Sequence, residues 1–125
     1  MNLEKVIFGF FVVLAATLNF GFVIGDISNP DVHDSNELVA AIVVNLIATI
    51  LKFGDRTQLG AVHLATSLVA SLQLLAAGLL WVLAADSGMT AGEMASVVSF
   101  AAGALLANII SVILLISETI SFQRR

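Results

Sequence analysis

Residues 59–85 read LGAVHLATSLVASLQLLAAGLLWVLAA, from Leu59 to Ala85, without one Lys, Arg, Asp or Glu. As a helix, a run of that length rises about 40 Å, more than the roughly 30 Å hydrocarbon core of a bilayer. Its backbone polar groups are then satisfied internally, as lipid demands. Three further runs of the same character lie on either side, about Val6 to Gly25, Leu38 to Phe53 and Ala95 to Ile120. The expected fold is therefore all-α: one transmembrane domain over residues 1–125, with four membrane-spanning helices. The spans at 59–85 and 95–120 are long enough to tilt or to protrude past the hydrocarbon.

Composition agrees. The 125 residues are 59% hydrophobic and 11% charged, with mean hydropathy +1.06, where a soluble domain carries roughly 25% charged residues. Cysteine is absent, so disulfides and thiolate metal sites are excluded. The first apolar run follows Lys5 as a secretion signal would, but it is long and no A-x-A site follows it, so it is expected to be retained.

Orientation follows from the basic residues. Lys5, Lys52, Arg56, Arg124 and Arg125 all fall in the two tails or the second loop. The positive-inside rule then places both termini and that loop in the cytoplasm. Trp81 suits an outer interfacial anchor, and Phe53 and Phe122 inner ones. The loops carry turn chemistry. Gly54 suits a left-handed helix end, and Asp55 with Gln58, Thr90 with Glu93 and Asp34 with Glu37 are spaced as caps. Asn29-Pro30 marks the first turn. Spans one and two, and three and four, are expected as antiparallel hairpins. A weak repeat, residues 40–48 laid on 103–111, would fit a duplicated hairpin.

Catalytic patterns are missing: no G-x-S-x-G, H-E-x-x-H, Walker A or G-x-G-x-x-G occurs. No enzyme activity, cofactor or metal site is expected, and no basic face supports nucleic-acid binding. The informative residues are polar groups inside spans, which are costly in lipid unless they face protein or water. Asn19 and Asn45 lie about 9 and 11 Å from the outer ends of their spans and can share a level. Gln73 and Asn108 fall near the midplane. These amides either clasp helices together or line a pore or substrate route. Thr17, Gly21 and Gly25 form a small-residue stripe in span one, and Ser99, Gly103, Ala107 and Ser111 another in span four, both suited to close helix contact. His63 and Glu118 sit at similar inner depth, as an interface pair or a pH-sensitive gate. Asp26, Asp31, Asp34 and Glu37 give the first loop an acidic face, which either attracts cations or is what remains when basic residues stay inside. Thr17-Leu18-Asn19-Phe20-Gly21 superficially matches a potassium filter, but Asn19 replaces a required glycine and too little chain precedes it.

Met1-Asn2-Leu3-Glu4-Lys5-Val6-Ile7-Phe8-Gly9-Phe10-Phe11 and Leu51-Lys52-Phe53-Gly54-Asp55-Arg56-Thr57-Gln58 resemble a family of small four-helix proteobacterial inner-membrane proteins of unknown function. The resemblance implies a multi-pass protein of the bacterial inner membrane and supplies no activity. The leading expectation is a homo-oligomeric cation-conducting channel or transport component. It would contact lipid and monovalent cations, with a pore between subunits because one small bundle has little room for its own. The alternatives are a non-conducting accessory or scaffolding subunit of a larger membrane complex, and a lipid- or quinone-binding protein. The destination of Asn19, Asn45 and Asn108 separates the first two: a shared axis in a channel, closure inside one bundle in a scaffold.

Overall fold

The computed structural model describes residues 3–26, 29–55 and 57–123. Arg56, Arg124, Arg125 and the side chain of Phe122, used above for orientation and anchoring, lie outside the described residues. Among those described, the chain forms four α-helices: α1 (Leu3–Val23), α2 (Ser35–Lys52), α3 (Gln58–Ala85) and α4 (Ala91–Gln123), with a single 3-10 turn at Pro30–Val32 before α2. All four are long and apolar enough to cross a membrane.

Helix ends follow local chemistry. Asp34 caps α2 by accepting a hydrogen bond from the Asn36 N–H (2.9 Å), and this starts α2 three residues before the apolar run. Thr90 and Glu93 form the expected reciprocal box. The Thr90 N–H donates to the Glu93 carboxylate (2.9 Å), and the Glu93 N–H donates to the Thr90 hydroxyl (3.1 Å). With that cap, α4 begins at Ala91 and its 33 residues rise about 50 Å. The second loop differs from its expected form. Gly54 does take a left-handed conformation (φ 90°), but the N-cap of α3 is Thr57, which accepts from the Gly60 N–H (2.9 Å). Asp55 instead folds over Thr57, accepting from its N–H (3.0 Å) and its hydroxyl (2.7 Å). Asp55 therefore stabilises the capping residue rather than the helix. The first span also ends sooner than expected: α1 stops at Val23, and Gly25 turns the chain away at φ 109°.

The helices form a closed ring in which α1 touches α2 and α4, and α3 touches α2 and α4. The interhelical pairs run in opposite directions along neighbours: Lys5–Glu118 and Gly9–Leu115 between α1 and α4, Thr66–Ser111 and Gln73–Gly103 between α3 and α4. Large apolar side chains point outward, with Leu72, Val82 and Leu83 66%, 67% and 68% exposed. Small and polar groups line much of the interior, Ala41, Ala70, Ala77, Ala101 and Ala104 beside Asn19, Asn45, Ser67, Ser71, Asn108 and Ser111, and a few large apolar side chains, Phe8, Phe22, Leu38, Leu74 and Met94, are buried with them. An apolar outer surface around helices that meet through small residues is the arrangement of a multi-pass protein solvated by lipid, where close packing rather than hydrophobicity holds helices together.

Replacing Thr90 with Ala removes half of the α4 box and should lower stability by about 1 kcal/mol in mild detergent. Thermal or denaturant unfolding reads it; a transition unmoved from the parent's would mean that the box contributes nothing.

Candidate functional site

The interior polar groups fall in successive levels along the bundle, from the end that carries the second loop to the end that carries the first. The deepest is an amide clasp between α1 and α4. Asn19 is fully buried, and its amide lies against one rung of the α4 backbone. In the orientation that satisfies its neighbours, its nitrogen donates to the Ala101 carbonyl (3.2 Å). Its oxygen accepts from the Leu105 N–H (3.0 Å) and from the Asn108 side-chain nitrogen (3.3 Å). Ala101 and Ala104 have no bulk to keep α1 away. The pairing differs from the two layers expected above, Asn19 with Asn45 and Gln73 with Asn108. Spans one and four are direct neighbours, and the start of α4 at Ala91, before its apolar run, brings Ala101–Asn108 level with Asn19.

Asn45 turns back on its own helix, its side-chain nitrogen donating to the Ala41 carbonyl (2.8 Å). One turn on, the Thr49 hydroxyl donates to the Asn45 carbonyl (2.8 Å) and meets Ser71 of α3 (3.1 Å). Thr66 and Ser111 share a hydroxyl contact across α3 and α4 (2.5 Å). Gln73 is the exception among the amides. It lies half-buried over Gly103, where an added Cβ would meet the amide at 3.1 Å, and it borders an external groove with Ser96 and Ser99.

The small-residue stripe of span one does not make one continuous backbone contact. Thr17 is exposed and bonds back to the Leu14 carbonyl, Gly21 packs directly against the Glu37 carboxylate, and Gly25 is outside α1. The acidic residues of the first loop divide. Asp34 is spent as a cap, Glu37 is half-buried against Gly21, and Asp26 and Asp31 are exposed. Beneath them His33, buried, places its ring nitrogens 2.5 Å from the Phe22 carbonyl and 2.8 Å from the Asp26 carbonyl. Phe22 lies in the last turn of α1, whose carbonyls lack helical partners. A carbonyl can only accept, so His33 caps α1 from the loop. Nothing in the spacing of the sequence marked that role.

The second-loop end is charged and opens into a cavity. His63 is 1% exposed, yet neither ring nitrogen has a hydrogen-bond partner among the described residues. Its Nε2 stands 4.0 Å from Glu118, whose other carboxylate oxygen pairs with Lys5. Phe8 packs edge-on against the imidazole (5.0 Å between centroids), and Lys52 sits over the Phe8 ring (4.2 Å) while reaching Asp55 (3.4 Å). The Thr57 hydroxyl and N–H, followed by the charge of Lys52, hold the Asp55 carboxyl below its ordinary range, so it is the ionised partner of Lys52. A cavity of about 200 Å³ opens here, lined among others by Lys5, Lys52, Asp55, His63 and Glu118. The sequence brought His63 and Glu118 to one depth. It did not show Lys5 as the competitor for Glu118, although Lys5 and Phe8 are one turn apart on α1 and so share a face. Among the described residues no group of three His, Asp or Glu side chains converges as metal ligands.

Residues 32–119, covering three of the four helices and most of this polar interior, match the profile of a family of unknown function, DUF6394. The chain belongs to that family. No curated protein and no solved structure matches it. The family membership is consistent with the resemblance drawn from residues 1–11 and 51–58, and it carries no activity with it.

The amide clasp is open to a direct measurement. Asn19→Leu and Asn108→Leu should each cost about 0.6–2 kcal/mol of bundle stability, and the double variant less than the sum, because either change already breaks the shared bond. Strictly additive losses would show that the two amides do not act on each other.

Proposed function

We propose that this DUF6394 protein is a non-conducting accessory or scaffolding component of the bacterial inner membrane, a compact helical unit that packs against lipid and other membrane helices. The supporting observation is the fate of the amides. Asn19, Asn45 and Asn108 are each buried, each side-chain nitrogen donates inside the bundle, and the Asn19 oxygen accepts there as well, so the amides close contacts within one chain and do not face a shared axis. Toward the first-loop end, Phe22, Leu38, Leu74, Met94, Val97 and Val98 fill the interior with apolar side chains. A polar path from the second-loop end therefore stops at a dry plug. Water and ions crossing such a plug would leave their hydrogen bonds behind.

The cation channel is the second reading, and one observation favours it. Gln73, Ser96 and Ser99 put polar groups on the outer surface between α3 and α4, around a groove of about 380 Å³. A route between copies of the chain would use such a face. Liposomes with purified protein should show no flux of sodium, potassium or protons above empty vesicles. Flux that falls when Gln73 becomes Leu would replace the scaffold with an intersubunit channel.

Both readings place the two termini and the second loop in the cytoplasm, on the one-sided distribution of all five basic residues. The absence of native cysteine makes single-cysteine labelling clean. A cysteine at position 31 should react only from the periplasmic side and one at position 57 only from the cytoplasmic side. The reverse pattern would invert the orientation.

A further inference from the structure

The cavity at the second-loop end contains a group the scaffold does not use. A histidine 1% exposed with both ring nitrogens unpartnered among the described residues is an unusual thing to bury, because an unsatisfied polar group away from water costs free energy. Two further observations give it a context. His63 is among the residues that line a cavity of about 200 Å³, with room for several water molecules, and its ring nitrogens lie just behind the cavity wall. And the carboxylate nearest to it, Glu118 at 4.0 Å, is shared: one oxygen faces His63 and the other is paired with Lys5.

We propose that this cavity is a proton-binding site in which His63 takes up a proton from cavity water and Glu118 turns from Lys5 to receive the imidazolium N–H. The step balances simply. A hydronium in the cavity gives its proton to the unprotonated ring nitrogen and leaves as water. The ring gains one positive charge, and Glu118, already ionised, exchanges one cation for another. A charged ring at this depth needs a counter-ion at hydrogen-bond distance. Glu118 needs to move by only about 1 Å to supply it, going from 4.0 Å to ordinary hydrogen-bond length.

The other charges facing the ring are accounted for. Glu4 and Lys5 come from α1, Lys52 from α2, Asp55 from the loop and Glu118 from α4. Asp55 is engaged by Thr57 and Lys52. Lys52 is held between Asp55 and the Phe8 ring, and its positive charge works against a second cation nearby. Glu118 is the carboxylate whose oxygen lies nearest the ring. Uptake of the proton therefore weakens the pair that joins the start of α1 to the end of α4.

The test is the titration of His63 by ring-resonance NMR on the full chain in lipid nanodiscs, the signal being assigned by its loss in His63→Gln. The ring should take up a proton as the pH is lowered. Glu118→Gln removes the counter-ion and should lower the midpoint by about one pH unit, a tenfold loss of proton affinity. Lys5→Gln frees Glu118 and removes a cation, and should raise the midpoint. The opposite signs separate a shared carboxylate from general loosening of the bundle, which would move both variants the same way. A ring that does not titrate down to pH 5, or a midpoint that Lys5→Gln leaves in place or lowers, would overturn the proposal. The outcome is independent of ion flux, because a non-conducting bundle can still bind a proton.

Discussion

The approach of α1 to α4 at Asn19 sets the spacing on which the rest of the bundle depends. An asparagine side chain is short, so an amide that reaches both the Ala101 carbonyl and the Leu105 N–H requires the helix axes to be close. Such closeness is possible only where the facing residues are small, and α4 presents Ala101 and Ala104 there. The same condition repeats around the ring. Two hydroxyls meet at 2.5 Å between Thr66 and Ser111 and at 3.1 Å between Thr49 and Ser71, distances that leave no room for Leu or Ile at the seam. Large side chains are therefore kept off these seams, either on the outer surface or in the cluster of Phe22, Leu38, Leu74 and Met94 nearer the first loop.

Much of this was legible in the sequence, and what was not has a common physical reason. The existence of four spans follows from length and the absence of charge. Gly54 at a left-handed turn, the Thr90–Glu93 box and the Asp34 cap follow from local chemistry, which depends on residues three or four positions apart. Partner assignment does not work that way. Whether Asn19 meets Asn45 or Asn108 depends on helix rotation and on the offset between helices, and in lipid the apolar–polar contrast that would reveal rotation is faint. Asn19 was expected beside Asn45 because both lie similar distances from the ends of their apolar runs. The helix that matters, α4, begins before its apolar run, through the polar first turn at Ala91–Glu93. Asp55 and Thr57 show the same limit on a smaller scale. Both residue types cap helices, and the path of the chain after Gly54 gives the role to Thr57 and makes Asp55 its support.

The two ends of the bundle are unlike each other. At the first-loop end an apolar cluster around Phe22, Leu38, Leu74 and Met94 meets a loop pinned by His33 across the last turn of α1. At the second-loop end, His63, Lys5, Lys52, Asp55 and Glu118 surround a cavity. Between them polar contacts recur, each closed within the bundle, up to the apolar cluster. An aqueous path through one chain would need a polar group at every level, because ions at a dry level face the cost of desolvation unaided. The arrangement is closer to a pocket entered from one side.

Three of the four seams in the ring are closed by the chain itself, through the loops joining α1 to α2, α2 to α3 and α3 to α4. The seam between α1 and α4 has no loop, and side chains alone close it. Its strongest polar contacts are the Asn19 clasp toward one end and the Lys5–Glu118 pair at the other. The clasp is buried among neutral groups and indifferent to pH. The ion pair sits at the edge of the cavity, with His63 4.0 Å from the same carboxylate. The seam is thus held by neutral groups at one level and by charge at its end. In this fold the seam that no loop closes is also the one whose terminal ion pair borders the charged cavity.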